Sequence, residues 1–512
     1  MPSPFALPIL LAGAAIAAEP CAPCHPAQVN GYLKTGMARS LSRPSGRPTG
    51  RVTHALSGSV FTVRATASGI LQTLERGGYK GNHTVAYVIG SGNHAFGYLV
   101  NIAGYLFQSP LSFYSRAKVW DLAPGYERDA SPDFTRPVTQ ECLWCHAGRP
   151  QPVEGSLNKY QSPAFAAEAI SCDRCHGPAA EHVKRPSANN ILNPKKLPSR
   201  ARAGVCEQCH LGGEARIPNP GRTIGEFEPG MQLEEVFSVF VFDRSVPGLK
   251  VVSHVEQLAL SACAQKSGGE LWCGTCHNPH DATPAAAHTA RCRECHTGAL
   301  PASHPGDPAC ARCHMPKRPA RDGGHTAFTD HWIQRRAGAN PDATTGVRRL
   351  VAWAGASGAL GRRNLGLANV TVGERDHSAQ HLDEGYRLLT EVHSASQKDP
   401  AVLTSLGLLL LRKSRPKEAL AMYESALAIE PAYAPYHVNV ATAATQAGDE
   451  SKAITHLERA IDLDPSLEQA YRKLGELYDK RGDRARARQA LGRYLKFMPG
   501  NLAAQAAIDV LR

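Results

Sequence analysis

The N-terminus lacks the basic residues that usually open an export leader: Met1 is followed by Pro, Ser, Pro and Phe. What comes next is an apolar run from Phe5 to Ala18 that closes on small residues. It is too short to span a bilayer as a stable helix and fits a secretory signal cleaved near Ala17 or Ala18. Residues 1–18 are therefore read as a signal peptide, with an uncleaved anchor as the alternative. No later stretch approaches the roughly 18 consecutive apolar residues of a membrane span, so none is expected in the mature chain. Cysteine is absent beyond Cys313, which splits the 512 residues into a cysteine-bearing part and a cysteine-free part. A chain of this length is expected to hold roughly two to four domains.

The thiols that are present are tightly patterned. Of 15 cysteines, 14 fall into seven C-x-x-C-H motifs. In chain order these are Cys21-Cys24-His25, Cys142-Cys145-His146, Cys172-Cys175-His176, Cys206-Cys209-His210, Cys273-Cys276-His277, Cys292-Cys295-His296 and Cys310-Cys313-His314. Zinc knuckles and disulfides also use clustered cysteines, but neither requires His directly after every second Cys. Covalent haem does: two thiols three positions apart reach the two vinyl groups of one porphyrin, and the adjacent imidazole reaches the iron. The expectation is seven covalently bound haem c, attached after export.

Successive motifs are separated by 121, 30, 34, 67, 19 and 18 residues, so one stands alone and the others form two groups of three. With so little chain between cofactors, the haems are expected to pack on one another more than on a conventional core. Ser59–Arg64 and His83–Ile89 are β-branched and aromatic and bounded by Gly, which reads as a small β-hairpin region. The expected fold class is mainly α, with little regular structure in the haem-packed region plus that hairpin, followed by an α-solenoid of helix hairpins. The domains are read as residues 19–336 for the seven-haem part, 337–397 for a linker and degenerate helical hairpin, and 398–512 for repeats.

The repeat reading rests on a 34-residue period. Leu406-Gly407, Val440-Ala441 and Leu474-Gly475 recur at that spacing, as do Ala419, Ala453 and Ala487, and Pro431, Pro465 and Pro499. Tyr471, Leu474, Gly475 and Tyr478 occupy the W-x2-L-G-x2-Y positions of tetratricopeptide repeats. A generic helical bundle would not need this recurrence. Such repeats stack into a solenoid with a partner-binding groove.

Each iron has a sixth position, and the candidates for it are histidines outside the motifs. His280 follows His277 too closely for both to reach opposite faces of one iron, so it is expected to ligate a neighbouring haem. The same reasoning applies to His182 after His176. His325 and His331, after the last motif, are further candidates, with His54, His94 and His254 beside them. Met37 is a candidate thioether ligand to the first haem, and a packing methionine otherwise. Cys263 is the odd thiol: a buried free thiol, a sulfur ligand or a redox-active group.

Residues 21 to about 336 resemble the multihaem cytochromes related to cytochrome c554 and the pentahaem nitrite reductases, in versions carrying C-terminal tetratricopeptide repeats. The residues behind this are Cys21–His25 with Thr35-Gly36-Met37, Ile89–His94, Cys172–Pro178 with His182, Cys273–His280, and Cys313–Arg318 ending in Thr329-Asp330-His331. The resemblance implies stacked and perpendicular haem pairs, mostly with two histidine ligands. One departure matters: in those nitrite reductases the active haem has a C-x-x-C-K motif, whereas every motif here ends in His.

Two main readings follow, beside a third in which the repeats dominate and the protein is a scaffold holding a haem module in a larger complex. In the first, the chain is an exported, periplasmic or otherwise extracytoplasmic electron-transfer cytochrome whose repeats dock a redox partner protein. In the second, it is a multihaem oxidoreductase acting on a small nitrogen or sulfur compound at one five-coordinate haem. The formal charge of +12 is not read as a nucleic-acid footprint. Seven haems would add 14 propionates, and the oxidised holo-protein would sit near about +5. Oligomeric state stays open.

Overall fold

A computed structural model describes residues 20–46, 48–67, 69–243, 248–282, 285–298, 304, 309–335, 348–355, 357–395 and 398–512. The expected signal peptide and most of the expected linker's first dozen residues lie outside these.

The segment after the first motif is far more regular than a small hairpin. Eight strands form one antiparallel sheet: β1 (Leu41–Ser42), β2 (Gly50–His54), β3 (Ser59–Thr66), β4 (Gly69–Arg76), β5 (Tyr79–Ile89), β6 (Ala95–Ile102), β7 (Tyr105–Tyr114) and β8 (Val119–Leu122). β2 to β8 follow in sequence order as a meander, and β1 pairs with β5. The sheet curls until its ends meet: the Trp120 indole on β8 packs against Gly50 on β2 and donates to the Pro48 carbonyl at 3.1 Å. This corrects the expectation of little regular structure. Hairpin chemistry explains the tight links. Gly77 and Gly78 both have positive φ between the paired residues Arg76 and Tyr79, the two-residue turn whose twist matches the strands.

Residues 123–335 carry the remaining motifs on short helices and small sheets. Ala215–Pro218, Phe237–Phe242 and Leu350–Ala352 form a three-stranded antiparallel sheet.

The cysteine-free part is a run of antiparallel helices: α1 (Gly358–Asp376), α2 (Ala379–Ala395), α3 (Pro400–Arg412), α4 (Pro416–Ile429), α5 (Ala434–Gln446), α6 (Glu450–Leu463), α7 (Glu468–Lys480), α8 (Arg484–Phe497) and α9 (Leu502–Val510). The 34-residue period places Ala419, Ala453 and Ala487 at fully buried positions, where only a small side chain lets two helices close together. Side chains of Asp399, Asp449, Asp483 and Asn501 accept from the first free N–H groups of α3, α6, α8 and α9.

The helical run is not a free-standing groove. Its later helices share one apolar core with the inner sheet residues, including Phe61, Val85, Phe107, Leu474 and Tyr494. Phe497 meets Tyr105 edge-on at 5.4 Å, and Tyr79 donates to Asp509 at 2.6 Å. Gly81 lies so close to the Gly500 carbonyl that a β-carbon would stand 2.3 Å from its oxygen. At the other end, buried Arg363 on α1 bonds Asp399 and the Pro218 carbonyl, while Asn364 bonds Asn219 and Ser238. Glu214 ties three segments together, accepting from Lys250 at 3.2 Å, Arg321 at 3.0 Å and Arg375 at 2.9 Å.

Candidate functional site

Five of the motifs show why the spacing works. The amide of His25 bonds the Cys21 carbonyl at 2.9 Å, His176 bonds Cys172 at 3.0 Å, and His277 and His296 bond Cys273 and Cys292 at 2.9 Å each. The motif of Cys206–His210 ends a regular helix, Ser199–His210. One helical turn therefore carries both thiols and the imidazole on neighbouring positions of one face, as a single porphyrin requires.

Thiols of different motifs also meet. Cys21 contacts Cys172, Cys145 contacts Cys209, Cys206 contacts Cys273 and Cys292 contacts Cys310. Burial pushes Cys175 up to about 11, and burial together with Cys21 pushes Cys172 up to about 12. In two of the other contacts one partner is shifted down: the Cys209 contact brings Cys145 to about 6, and the Cys206 contact lowers Cys273. Among the described residues no group of three or more His, Cys, Asp or Glu side chains could hold a bare metal ion.

The imidazoles supply the fit test for haem. Two rings on opposite faces of one iron, with bonds of about 2 Å and ring centres ~1.1 Å beyond each nitrogen, have centres roughly 6 Å apart. His25 and His182 stand at 6.2 Å with planes 15° apart, and His176 and His280 at 5.8 Å and 19°. His304 and His314 stand at 6.2 Å and 25°, His277 and His331 at 6.2 Å and 31°. Near-parallel rings in face contact are closer in this protein, as His83 on Phe134 at 3.8 Å. The separations fit an iron between the rings, and His182 and His280 each sit beside the imidazole of a motif other than their own.

The remaining candidates divide. His254 lies 5.2 Å from His210 and 4.7 Å from His331, within a knot of rings that also includes His277 and His288 at 5.0 Å from each other. Burial, then neighbouring imidazoles, bring His254 down to about 3 and His277 to about 4; burial and His210 bring His146 to about 4. All three are neutral at pH 7, the form that donates to iron. His94 packs on Phe328 at 4.0 Å with its Nδ1 buried and without a partner. Met37 is half-buried on a 3-10 turn, Met37–Arg39.

Two candidates are placed away from the motif rings. His54 has both nitrogens engaged, Nδ1 with Ser57 at 2.8 Å and Nε2 with the Glu127 carbonyl at 3.3 Å. His325 pairs with Asp121 at 2.6 Å against the Tyr114 ring. Both are drawn to the sheet because it is larger than the sequence indicated. Conversely, His288 and His304 stand beside motif imidazoles and were not among the sequence candidates. The available signal was position: both lie between the closely spaced last three motifs. Cys263 is exposed on the short helix Ala262–Lys266, so the buried-thiol reading fails.

The helical array and its 34-residue period are those of tetratricopeptide repeats, and the motif turns resemble c-type cytochromes over one segment. Residues 119–177 match the family model described as cytochrome c554 and c-prime, and residues 441–482 match that of a TPR repeat. In Arabidopsis thaliana, the TPR repeat-containing thioredoxin TTL4 is 31% identical over 98 residues, 19% of this chain and 14% of the relative. Protein NPGR1 from the same plant is 35% identical over 96 residues, 18% of this chain and 14% of the relative. The chain thus spans about one-seventh of the length of these curated relatives. Among solved structures, MamA aligns at 23% identity and a TM-score of 0.26 over 28% of this chain and 80% of that one. YrrB, a TPR protein with an unusual peptide-binding site, aligns at 18% and 0.25 over 28% and 73%.

Proposed function

We propose that this chain is an exported, periplasmic or otherwise extracytoplasmic, heptahaem c-type cytochrome that moves electrons along closely packed haems with mostly two histidine ligands. The observation that carries this reading is the set of imidazole pairs about 6 Å apart, each joining a motif histidine to one outside the motifs. Haem, when bound, supplies a reversible one-electron couple. The chain's part is to hold fourteen thiols and seven proximal imidazoles, keep His146, His210 and His277 neutral by burial, and bring thiols of different motifs into contact. His182, His280, His304 and His331 are the distal ligands we assign, with His254, His288 and His94 competing for the central positions.

The repeats serve as a brace as well as a docking element. The sheet packs against the last helices through Phe497, Gly500 and Asp509, and Arg363 anchors α1, so a redox partner protein would use the faces left over. No nucleic acid is needed to account for the charge, and no helix among the described residues is long and apolar enough to cross a membrane.

Mass spectrometry of the purified holo-protein, with an absorption spectrum of the oxidised form, tests this. The expected result is seven haem masses per chain and predominantly low-spin iron. Free thiols throughout, or mostly high-spin iron, would overturn it. The second reading, an oxidoreductase acting on a small nitrogen or sulfur compound at one five-coordinate haem, is favoured by a cavity beside the second motif.

A further inference from the structure

That cavity, of about 230 Å³, is lined by Trp144, Arg149, Asp173, Arg174, Gln208 and Phe227 among others. Trp144 lies between the two cysteines of the second motif and Arg174 between those of the third, so the cavity sits where two motif turns meet. Both side chains are almost fully buried, at 5% and 6% exposure.

Arg174 is an anomaly by elementary electrostatics. A buried guanidinium is expected to pair with an acid, because removing its charge from water costs several kcal/mol. Here its Nη2 donates to two neutral oxygens, the Trp144 carbonyl at 3.1 Å and Gln208 Oε1 at 2.8 Å, and its plane lies over the indole at 3.3 Å. Neighbouring Asp173 goes to Arg149 instead. Among the described residues no carboxylate pairs with Arg174, and its Nε stays buried without an acceptor. The Trp144 Nε1 is buried without an acceptor as well. The nearby sulfurs of Cys145, Cys175 and Cys209 would compensate the charge only as thiolates. Thioethers carry none.

We infer that Arg174 and Trp144 form a binding site for an anionic oxygen acceptor, a carboxylate or small oxyanion, at the junction of the second and third motifs. Two N–H donors meet one anion, and the guanidinium supplies the opposite charge. The chemistry has two possible sources: a propionate of a haem held by these motifs, which rests on the proposed function, or a free oxyanion such as nitrite or sulfite.

The test uses the full-length holo-protein with Arg174→Gln and, because that change can impair folding, Trp144→Phe, which removes one N–H and keeps the ring. Spectroelectrochemical titration follows the haem couples, and isothermal titration follows nitrite and sulfite. If a propionate is the acceptor, one couple moves to lower potential in both variants and the others hold, since the propionate charge is left less compensated and favours the ferric state. If a free oxyanion is the acceptor, the native protein binds nitrite or sulfite saturably and both variants weaken that binding tenfold or more. Variants whose couples all match the native protein, combined with native protein that binds neither anion, overturn the assignment. Unchanged oxyanion binding in both variants together with unmoved couples overturns it too. Loss of the seven-haem stoichiometry in the native protein would defeat the proposed function and the propionate arm, and the nitrite and sulfite titrations would then decide the oxyanion arm by themselves.

Discussion

The short helices Ala180–Lys184, Ala262–Lys266, Cys273–Cys276 and Cys310–His314 contain no buried residue, whereas each helix from α3 to α8 contributes three to seven. Both regions are helical, and these four short helices lack a core of their own, although the motif helices Gln140–Trp144 and Ser199–His210 do bury side chains and adjoin an apolar cluster of Trp144, Leu211, Phe227 and Phe237. A four- or five-residue helix is below the length at which helix formation sustains itself in water, and with nothing apolar beneath it little holds it. On the proposed reading, porphyrin would supply the apolar packing that these four helices lack. The repeats need no cofactor, since Ala, Leu and Tyr at a 34-residue period already fill the space between helices.

The sharpest way to break this contrast is to withhold haem. Full-length protein made without haem attachment should lose hydrogen-exchange protection from about residue 254 to 331 and keep it in α3 to α8. Equal protection in both regions would show that the motif region folds on side chains alone.

A smaller effect is expected where the two regions are tied by charge. The Glu214 side chain is 3% exposed and faces Lys250, Arg321 and Arg375. Burial alone would raise its pKa, but the three cations outweigh that and hold it below the usual carboxylate range. Glu214→Gln leaves those cations without their shared anion, and because Arg321 and Arg375 are partly solvated the loss should be near the low end for buried pairs, about 3 kcal/mol. Urea unfolding of the holo-protein measures it; a loss below about 1 kcal/mol would place the cluster among ordinary surface ion pairs.

Acid should loosen the contact of sheet and repeats. His83 on β5 packs against Phe134 and Gly500, and burial brings its pKa from 6.5 to about 4. The unfolded chain then binds a proton that the folded chain refuses. Stability from this residue is fully present above pH 6.5 and falls as the pH drops through about 4, by roughly 3 kcal/mol in all. His83→Phe keeps the stacking and cannot ionise, so its stability should decline less over that interval. Parallel pH profiles would refute the assignment.

The smallest effect lies within the repeats. Asp449 caps α6 by accepting from the Lys452 amide at 2.9 Å. Asp449→Ala should cost about 1 kcal/mol in thermal unfolding and leave the haem spectrum unchanged.

The two regions also differ in how far they could be read without coordinates. The repeats were legible because every copy restates the same pattern. The sheet was largely missed because its interior is not uniformly apolar: Gln72 on β4 and Ser109 on β7 are fully buried and bond each other at 2.5 Å. That internal polar pair interrupts the alternation that marks a half-buried strand. The Gly77-Gly78 turn between two such strands was visible in the sequence and went unused. Among the distal candidates, His182 and His280 followed from a local argument about reach. The structure places His54 and His325 at the sheet, with Ser57 and Asp121 as partners, and His304 needed the fold to bring it beside His314.

The amino-acid sequence by itself determined the seven C-x-x-C-H motifs and the period of the repeats, because both depend on residues within one helical turn or at a fixed spacing. Which imidazole faces which, where the buried Arg174 is stranded without an acid, and how the sheet closes against the last repeats were decided only by the tertiary structure. Those relations join residues tens to hundreds of positions apart, and no local preference specifies such a meeting.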